Sequence, residues 1–322
     1  MIGIFGSGFG LYAHLPALAQ LRKEAIFVPE RYKSVFDKRK ELHCFSDRIV
    51  WMKNETQVLE RSDTVVFSVW PQGQEILIPQ ALSIASIRRI ILEKPIGVSP
   101  ESSGQLLSEL EKSGKIFRVN YSFLYLKWYN ELQDLINDTN VKCVQLTWKF
   151  TAHHYKNNIR NWKCSSRHGG GAIRFYGIHL IAVLAALGFT NVQYSSTIGE
   201  SEDDARKWEG VFINNDEMVF KVELDSKSHK DEFEIAFKYD TQSNDDYNLM
   251  NNSKNPFSEI KVLSSGLDTR VSLLLEFYKS LDKESDHTLS LQIYKNTNAL
   301  WSATEKINKH FIDSSKYSTD VI

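Results

Sequence analysis

The chain has 322 residues, 42% of them hydrophobic and 25% charged, with a formal net charge of −1. That length suggests two domains, or one large one, with ample apolar content for a core. Near-zero charge leaves no electrostatic footprint for nucleic acid or an anionic membrane. The three cysteines (Cys44, Cys143, Cys164) lack metal-ligand spacing, and a sparse, odd count fits a reducing compartment. No basic segment followed by an apolar one opens the chain, and the longest apolar stretch, 178–189, is short for a bilayer and contains His179. A cytoplasmic protein without a membrane partner is expected.

In chain order, short apolar runs alternate with helical patterns. Residues 2–5 (IGIF) read as a buried strand, 11–21 as a helix with Pro16 early in it, and 25–28 (AIFV) as a second strand. DTVVFSV (63–69) is a third strand and RIIL (89–92) a fourth, with a helix over 75–85 between them. Ser99 caps another helix, Pro100 takes its first position, and Gly114 ends it. Residues 116–120 form a further strand. Strands alternating with helices predict a doubly wound parallel sheet, a Rossmann-type domain over 1–120.

After residue 120 the pattern changes. In 141–150, Val144, Leu146, Trp148 and Phe150 share one face, and Cys143, Gln145, Thr147 and Lys149 the other. Residues 210–213 and 218–224 flank NNDE, a hairpin signal, and 232–239 alternate as well. These predict neighbouring antiparallel strands with one polar face. Residues 169–187 read as helical, 241–256 as a mobile loop, and 269–281 and 289–310 as closing helices. The expectation is a second, α+β domain over 121–322 with an open, mostly antiparallel sheet.

GSGFG (Gly6, Ser7, Gly8, Phe9, Gly10) follows the first strand and precedes a helix, the context of a dinucleotide-binding loop. Gly6 allows the tight turn, Gly8 lets a pyrophosphate approach the backbone, and helix amides from about Gly10 onward face the phosphates. The third position of GxGxxG is Leu11 rather than glycine. At the end of the second strand, Glu30 can accept from ribose hydroxyls, as NAD prefers. Arg31 and Lys33 can pair with a 2′-phosphate, as NADP prefers, so the choice stays open. ILEKPIG places Glu93, Lys94 and Pro95 at the carboxyl end of a parallel strand, where ligands bind in open α/β sheets. A lysine there can hydrogen-bond a substrate hydroxyl and favour its alkoxide form. By itself, it reads rather as a surface lysine before a turn.

Together these residues resemble the Gfo/Idh/MocA family of NAD(P)-dependent oxidoreductases over nearly the whole chain. GSGFG with His14-Leu15-Pro16-Ala17-Leu18 is similar to that family's opening. Leu92-Glu93-Lys94-Pro95 matches its EKP signature. Trp162, then Gly169-Gly170-Gly171-Ala172, then Gly177-Ile178-His179, match the entry into its catalytic helix. The resemblance implies NAD or NADP as cofactor and a small-molecule substrate, a sugar or sugar derivative, including nucleotide sugars. It implies that Lys94 contacts the reacting hydroxyl and His179 exchanges its proton, and that Glu93 and Lys94 lie beside the cofactor. It further implies a homodimer or homotetramer formed through the outer face of the second-domain sheet.

One position departs from the pattern. Many family members read GGG-A-x-x-D-x-G-x-H, with an aspartate one helical turn before the histidine. Here Phe175 stands in its place, between Arg174 and Tyr176. Three readings follow. His179 works alone, its ordinary pKa of about 6.5 already suiting proton exchange. Or a tyrosine supplies the proton: Tyr176, about 60° from His179 on an ideal helical wheel, or Tyr121. Or turnover is lost, leaving a non-catalytic nucleotide-binding or regulatory protein.

Asn120 and Tyr121 end a strand near the expected site, and Trp162 can pack on a sugar face or in a core. His153 and His154, read as adjacent strand residues on opposite faces, chelate one ion poorly, so no metal is expected. His14 is expected to pack or cap, and His43, His229, His287 and His310 to be solvated.

Overall fold

Ile2–Phe5 is buried at every position, as a strand covered on both faces requires. It is β1 of a six-stranded parallel sheet. The other strands are β2 (Ile26–Pro29), β3 (Ile49–Met52), β4 (Thr64–Phe67), β5 (Arg89–Leu92) and β6 (Ile116–Val119), in the order β3-β2-β1-β4-β5-β6. The order reverses between β1 and β4, the switch point of a doubly wound sheet. The computed structural model describes residues 1–201, 203–240, 247–260, 266–281 and 285–313.

By contacts the chain divides into two units, the first being Met1–Gly97, Ser102–Tyr125 and Glu259–Gln292. The sequence placed one border at residue 120 and left 259–292 with the second domain. The helix Arg270–Ser280 instead packs with the first unit: Val271, Leu274, Phe277 and Tyr278 are buried at helical spacing in the cluster that holds Ile4, Leu11 and Leu15.

β3 and the helix Glu55–Arg61 were not anticipated. β3 is an edge strand of four residues, buried only at its ends, and the helix has only Val58 and Leu59 buried. The helix carries little apolar pattern, whereas β3 (IVWM) is a short apolar run passed over in the sequence. The helix starts where it does because Asn54 accepts from the Gln57 N–H at 3.0 Å.

The second unit comprises Val98–Glu101, Leu126–Ser258 and the chain from Ile293 onward. Its strands are β7 (Val141–Thr151), β8 (Phe189–Gly199), β9 (Lys207–Asn214), β10 (Val219–Asp225), β11 (Lys227–Tyr239), β12 (Asn248–Ser253) and β13 (Lys309–Ile312). They form one mixed sheet ordered β12-β11-β7-β10-β9-β8-β13. The β9–β10 hairpin forms at NNDE, where the Asn214 side chain accepts from the amides of Asp216 and Met218. β7 pairs antiparallel with β11 but parallel with β10, and β13 runs parallel to β8, so the sheet is mostly rather than wholly antiparallel.

The polar face is a charge ladder: Glu223 on β10 accepts from Lys149 at 2.9 Å and from Lys207 at 3.3 Å. The opposite face buries Val144, Leu146, Trp148, Phe212, Phe220 and Leu224. Cys143 and Thr147, assigned to the polar face, are also buried.

Three sequence expectations change here. β12 lies inside the stretch read as a loop, whose residues 241–246 are outside the described ones. The closing helix ends at Ile307, and His310 belongs to β13, where its Nδ1 is 2.9 Å from the Thr197 hydroxyl rather than in solvent. The helical run Ser166–Ala186 is long and apolar enough to cross a membrane by length and composition, but most of it is buried inside the protein.

Candidate active site

The glycine loop turns directly off β1. Gly6 has φ +124°, and a Cβ there would lie 2.0 Å from the Ser68 carbonyl oxygen, so only glycine fits. A Cβ on Gly8 would meet nothing within 4 Å, leaving the backbone open to a ligand. Gly10 supplies the close helix–strand approach usually made by a third glycine: a Cβ there would lie 3.3 Å from side-chain carbons of Ile4 and Ser68. That is why Leu11, at the third motif position, can be a fully buried core residue. The first turn is a π-helix, Gly10–His14. The Leu11 and Tyr12 amides both bond back to the Gly8 carbonyl, so the phosphate-facing amides expected from Gly10 onward are partly engaged. The Phe9 ring stacks edge-on with Tyr12 and His14, and the Arg270 guanidinium covers it at 4.6 Å.

At the end of β2, Glu30 and Arg31 are both exposed. Arg31 forms an ion pair with Glu55 and donates to the Tyr32 hydroxyl at 2.8 Å. Burial pushes the Tyr32 pKa up, against the lowering effect of the Arg31 guanidinium.

Glu93 and Lys94 follow β5 and are half-buried. The Lys94–Pro95 peptide is cis. Gln74, fully buried on the helix Pro71–Ser83, grips this turn. Its side-chain oxygen accepts from the Glu93 N–H at 3.0 Å, and its amide donates to the carbonyls of Glu93 and Pro95, both at 2.8 Å.

The Glu93 carboxylate is held as well. Its Oε1 accepts from Asn120 Nδ2 at 2.8 Å and lies 2.8 Å from His14 Nε2. His14 is fully buried, and its Nδ1 lies 2.6 Å from the Tyr278 hydroxyl. Burial, then the Glu93 charge, raises the Tyr278 pKa well above its ordinary value, so the phenol keeps its proton and donates. His14 packs, as expected, against Phe9 and Tyr278, and is in addition a hydrogen-bonded bridge. Gln74 and Tyr278 gave no sequence signal, because a lone glutamine or tyrosine in a helix marks nothing.

In the second unit, all three glycines of the GGG run are required. Gly169 and Gly171 have φ +80° and +78°, and a Cβ on Gly170 would lie 2.2 Å from the Trp162 carbonyl oxygen. The chain then enters a π-helix, Ala172–Gly177, before the α-helix Ile178–Ala186. The i→i+5 turn is wider than an α-turn. The 3.6-residue wheel relating Phe175 and Tyr176 to His179 therefore does not apply.

His179 is 7% exposed. Arg174 is fixed by a two-pronged pair with Glu305 (2.7 and 2.6 Å) and donates to the carbonyls of Val98 and Ser166. Phe175 stacks edge-on against Trp162 at 5.2 Å and Tyr176 at 4.7 Å.

Tyr176 packs among Trp148, Phe150 and His154, and burial raises its pKa above the ordinary value. His153–Lys156 is a helical turn rather than strand, leaving His153 exposed and His154 buried. Burial, then Lys163 and His153, push the His154 pKa down to about 4. Among the described residues no cluster of three or more His, Cys, Asp or Glu is placed to hold a metal.

The same two-unit architecture occurs in solved oxidoreductases. A 3-ketoreductase from Actinomadura kijaniata, in complex with NADP and TDP-benzene, matches with a TM-score of 0.66 and 11% identity, over 96% of this chain and 98% of that one. An oxidoreductase from Thermotoga maritima matches at TM-score 0.67 and 18% identity, over 94% and 95%. A UDP-N-acetylglucosamine 3-dehydrogenase from Acidithiobacillus ferrooxidans matches at 0.66 and 12%, over 95% of each. The chain shares the fold of these enzymes. Forms of the Actinomadura reductase with a lysine changed to alanine or glutamate, or a tyrosine to phenylalanine, match as well. No family model matches the sequence. An uncharacterised protein of Schizosaccharomyces pombe is 21% identical over 148 residues, 44% of this chain and only 36% of that protein.

Proposed function

We propose that this protein is an NAD(P)-dependent oxidoreductase, moving a hydride between the cofactor and a hydroxyl or keto carbon of a sugar or sugar derivative. The observation that carries this reading lies within one parallel sheet. A glycine loop at the switch point and Lys94 at the end of β5 share its carboxyl edge, where such sheets bind ligands. The residues fit a dinucleotide: Gly6 makes the turn, and Gly8 leaves the backbone open.

Bound there, NAD or NADP supplies the hydride acceptor or donor. Ser7, Phe9 and Gly10 complete its phosphate turn, and Glu30 and Arg31 lie toward its adenosine end. Lys94 donates a hydrogen bond to the reacting oxygen and stabilises its alkoxide character. His179 exchanges the proton of that oxygen. Tyr176 is the second proton-exchange candidate. Asn120, Tyr121 and Trp162 are the substrate contacts. The TDP ligand of the Actinomadura reductase and the UDP-sugar named for the Acidithiobacillus enzyme support a nucleotide sugar as the substrate class.

Phe175 favours a second reading, a non-catalytic nucleotide-binding protein, because no carboxylate stands there to orient His179. Purified protein mixed with NAD(H) or NADP(H) and a panel of sugars and nucleotide sugars separates the two. Hydride transfer supports the enzyme, and cofactor binding without any transfer supports the second reading.

A further inference from the structure

The mechanism above gives no work to Tyr278, His14 or Glu93, which form a hydrogen-bonded chain ending at Asn120, a proposed substrate contact. We infer that His14, held by Tyr278, is a positioning residue that fixes Glu93 and thereby the turn carrying Lys94. The role of Lys94 itself rests on the proposed function; the positioning does not.

Direction runs one way along the chain. The Tyr278 phenol keeps its proton and donates to His14 Nδ1, so His14 donates from Nε2 to Glu93 Oε1. Asn120 donates to the same oxygen from the end of β6. The Glu93 carboxylate is thus held from two sides, and Gln74 holds the backbone on both sides of Lys94.

Stability alone does not call for such an arrangement. A buried polar chain often does no better than well-packed apolar side chains of the same volume, and its distinct property is that only one geometry satisfies it. Here that geometry converges on the one residue of the turn proposed to meet substrate. The Tyr278 end comes from the helix Arg270–Ser280, which packs with the first unit. A segment late in the chain therefore completes the catalytic edge of the parallel sheet.

The test reads the reactivity of Lys94 without any substrate. The full-length protein is treated with trace acetic anhydride, and acetylation of Lys94 is measured by peptide mass spectrometry relative to exposed Lys127. Three variants are compared: His14→Leu, Tyr278→Phe, which removes only a hydroxyl, and His14→Gln, which keeps one donor and one acceptor. The Lys94/Lys127 ratio is expected to rise about fivefold in the first two, the scale of one lost hydrogen bond in a local opening equilibrium. It should stay within about twofold of the parent in His14→Gln. If His14→Leu fails to fold, Tyr278→Phe, with its melting temperature checked, decides alone. An unchanged ratio in Tyr278→Phe overturns the positioning role. Full turnover in Lys94→Ala would overturn the proposed function while leaving this result standing.

Discussion

The Phe175 ring lies edge-on to Trp162, centroids 5.2 Å apart and planes at 88°, with Lys163 Nζ 5.3 Å from the Phe175 centroid. The position where relatives by resemblance carry a carboxylate is an aromatic contact with an ammonium beside it. An aspartate at 175 would find that ammonium as a counter-charge, which lowers the cost of placing it in a half-buried site. Phe175→Asp is expected to raise turnover on the order of tenfold, well under the roughly 10²–10⁴ that a positioned acid/base supplies in all. Steady-state rates of the two forms check this; a fall with an unchanged melting temperature would show that His179 does not need the carboxylate.

Arg174 anchors the same π-helix through Glu305, Val98 and Ser166. Arg174→Ala takes the guanidinium from the Glu305 carboxylate and one donor each from the carbonyls of Val98 and Ser166, the latter keeping the Gly169 N–H. It should cost about 2–4 kcal/mol, and Arg174→Lys should recover only part, since an ammonium cannot make the two-pronged pair. Urea denaturation of the three forms measures both effects.

Gly170→Ala forces a Cβ to within 2.2 Å of the Trp162 carbonyl. The loop or the helix start has to move, at a cost of several kcal/mol, roughly the upper end for single substitutions. Thermal melts should show a large loss, and any folded fraction should quench Trp162 fluorescence differently from the parent.

His154 gives a stability term with a defined sign. Its folded pKa is about 4 against an ordinary 6.5, because burial, then Lys163 and His153, disfavour the cation. The unfolded chain takes up a proton that the folded one refuses. This contribution is therefore full above about pH 6.5 and declines as pH falls toward about 4. His154→Leu should remove it. Melts at about pH 7 and about pH 5 should show a smaller drop in Tm for the variant, by a few degrees. Equal drops would contradict the assignment.

Local backbone chemistry is what made the parallel-sheet unit readable. A glycine loop behind a buried strand, and a lysine behind another, can each be seen within a few residues. β3 and β8 were not readable, because β3 is a four-residue edge strand and β8 is mostly polar, with five exposed or half-exposed positions between Thr190 and Tyr194. The π-helix at Ala172–Gly177 carries no composition cue, so an ordinary wheel misplaced Phe175 and Tyr176. The His14–Tyr278 bond joins residues 264 apart, a pairing that only the fold creates.

The most direct measurement is nicotinamide absorbance in mixtures of the protein, NAD(H) or NADP(H), and a panel of hexoses and nucleotide sugars, run in parallel with Lys94→Ala. The account predicts hydride transfer with at least one of these carbohydrates, and a fall of roughly 10²-fold or more in Lys94→Ala with cofactor binding retained. Cofactor binding with no transfer to any of them, or equal rates in the two forms, would contradict it.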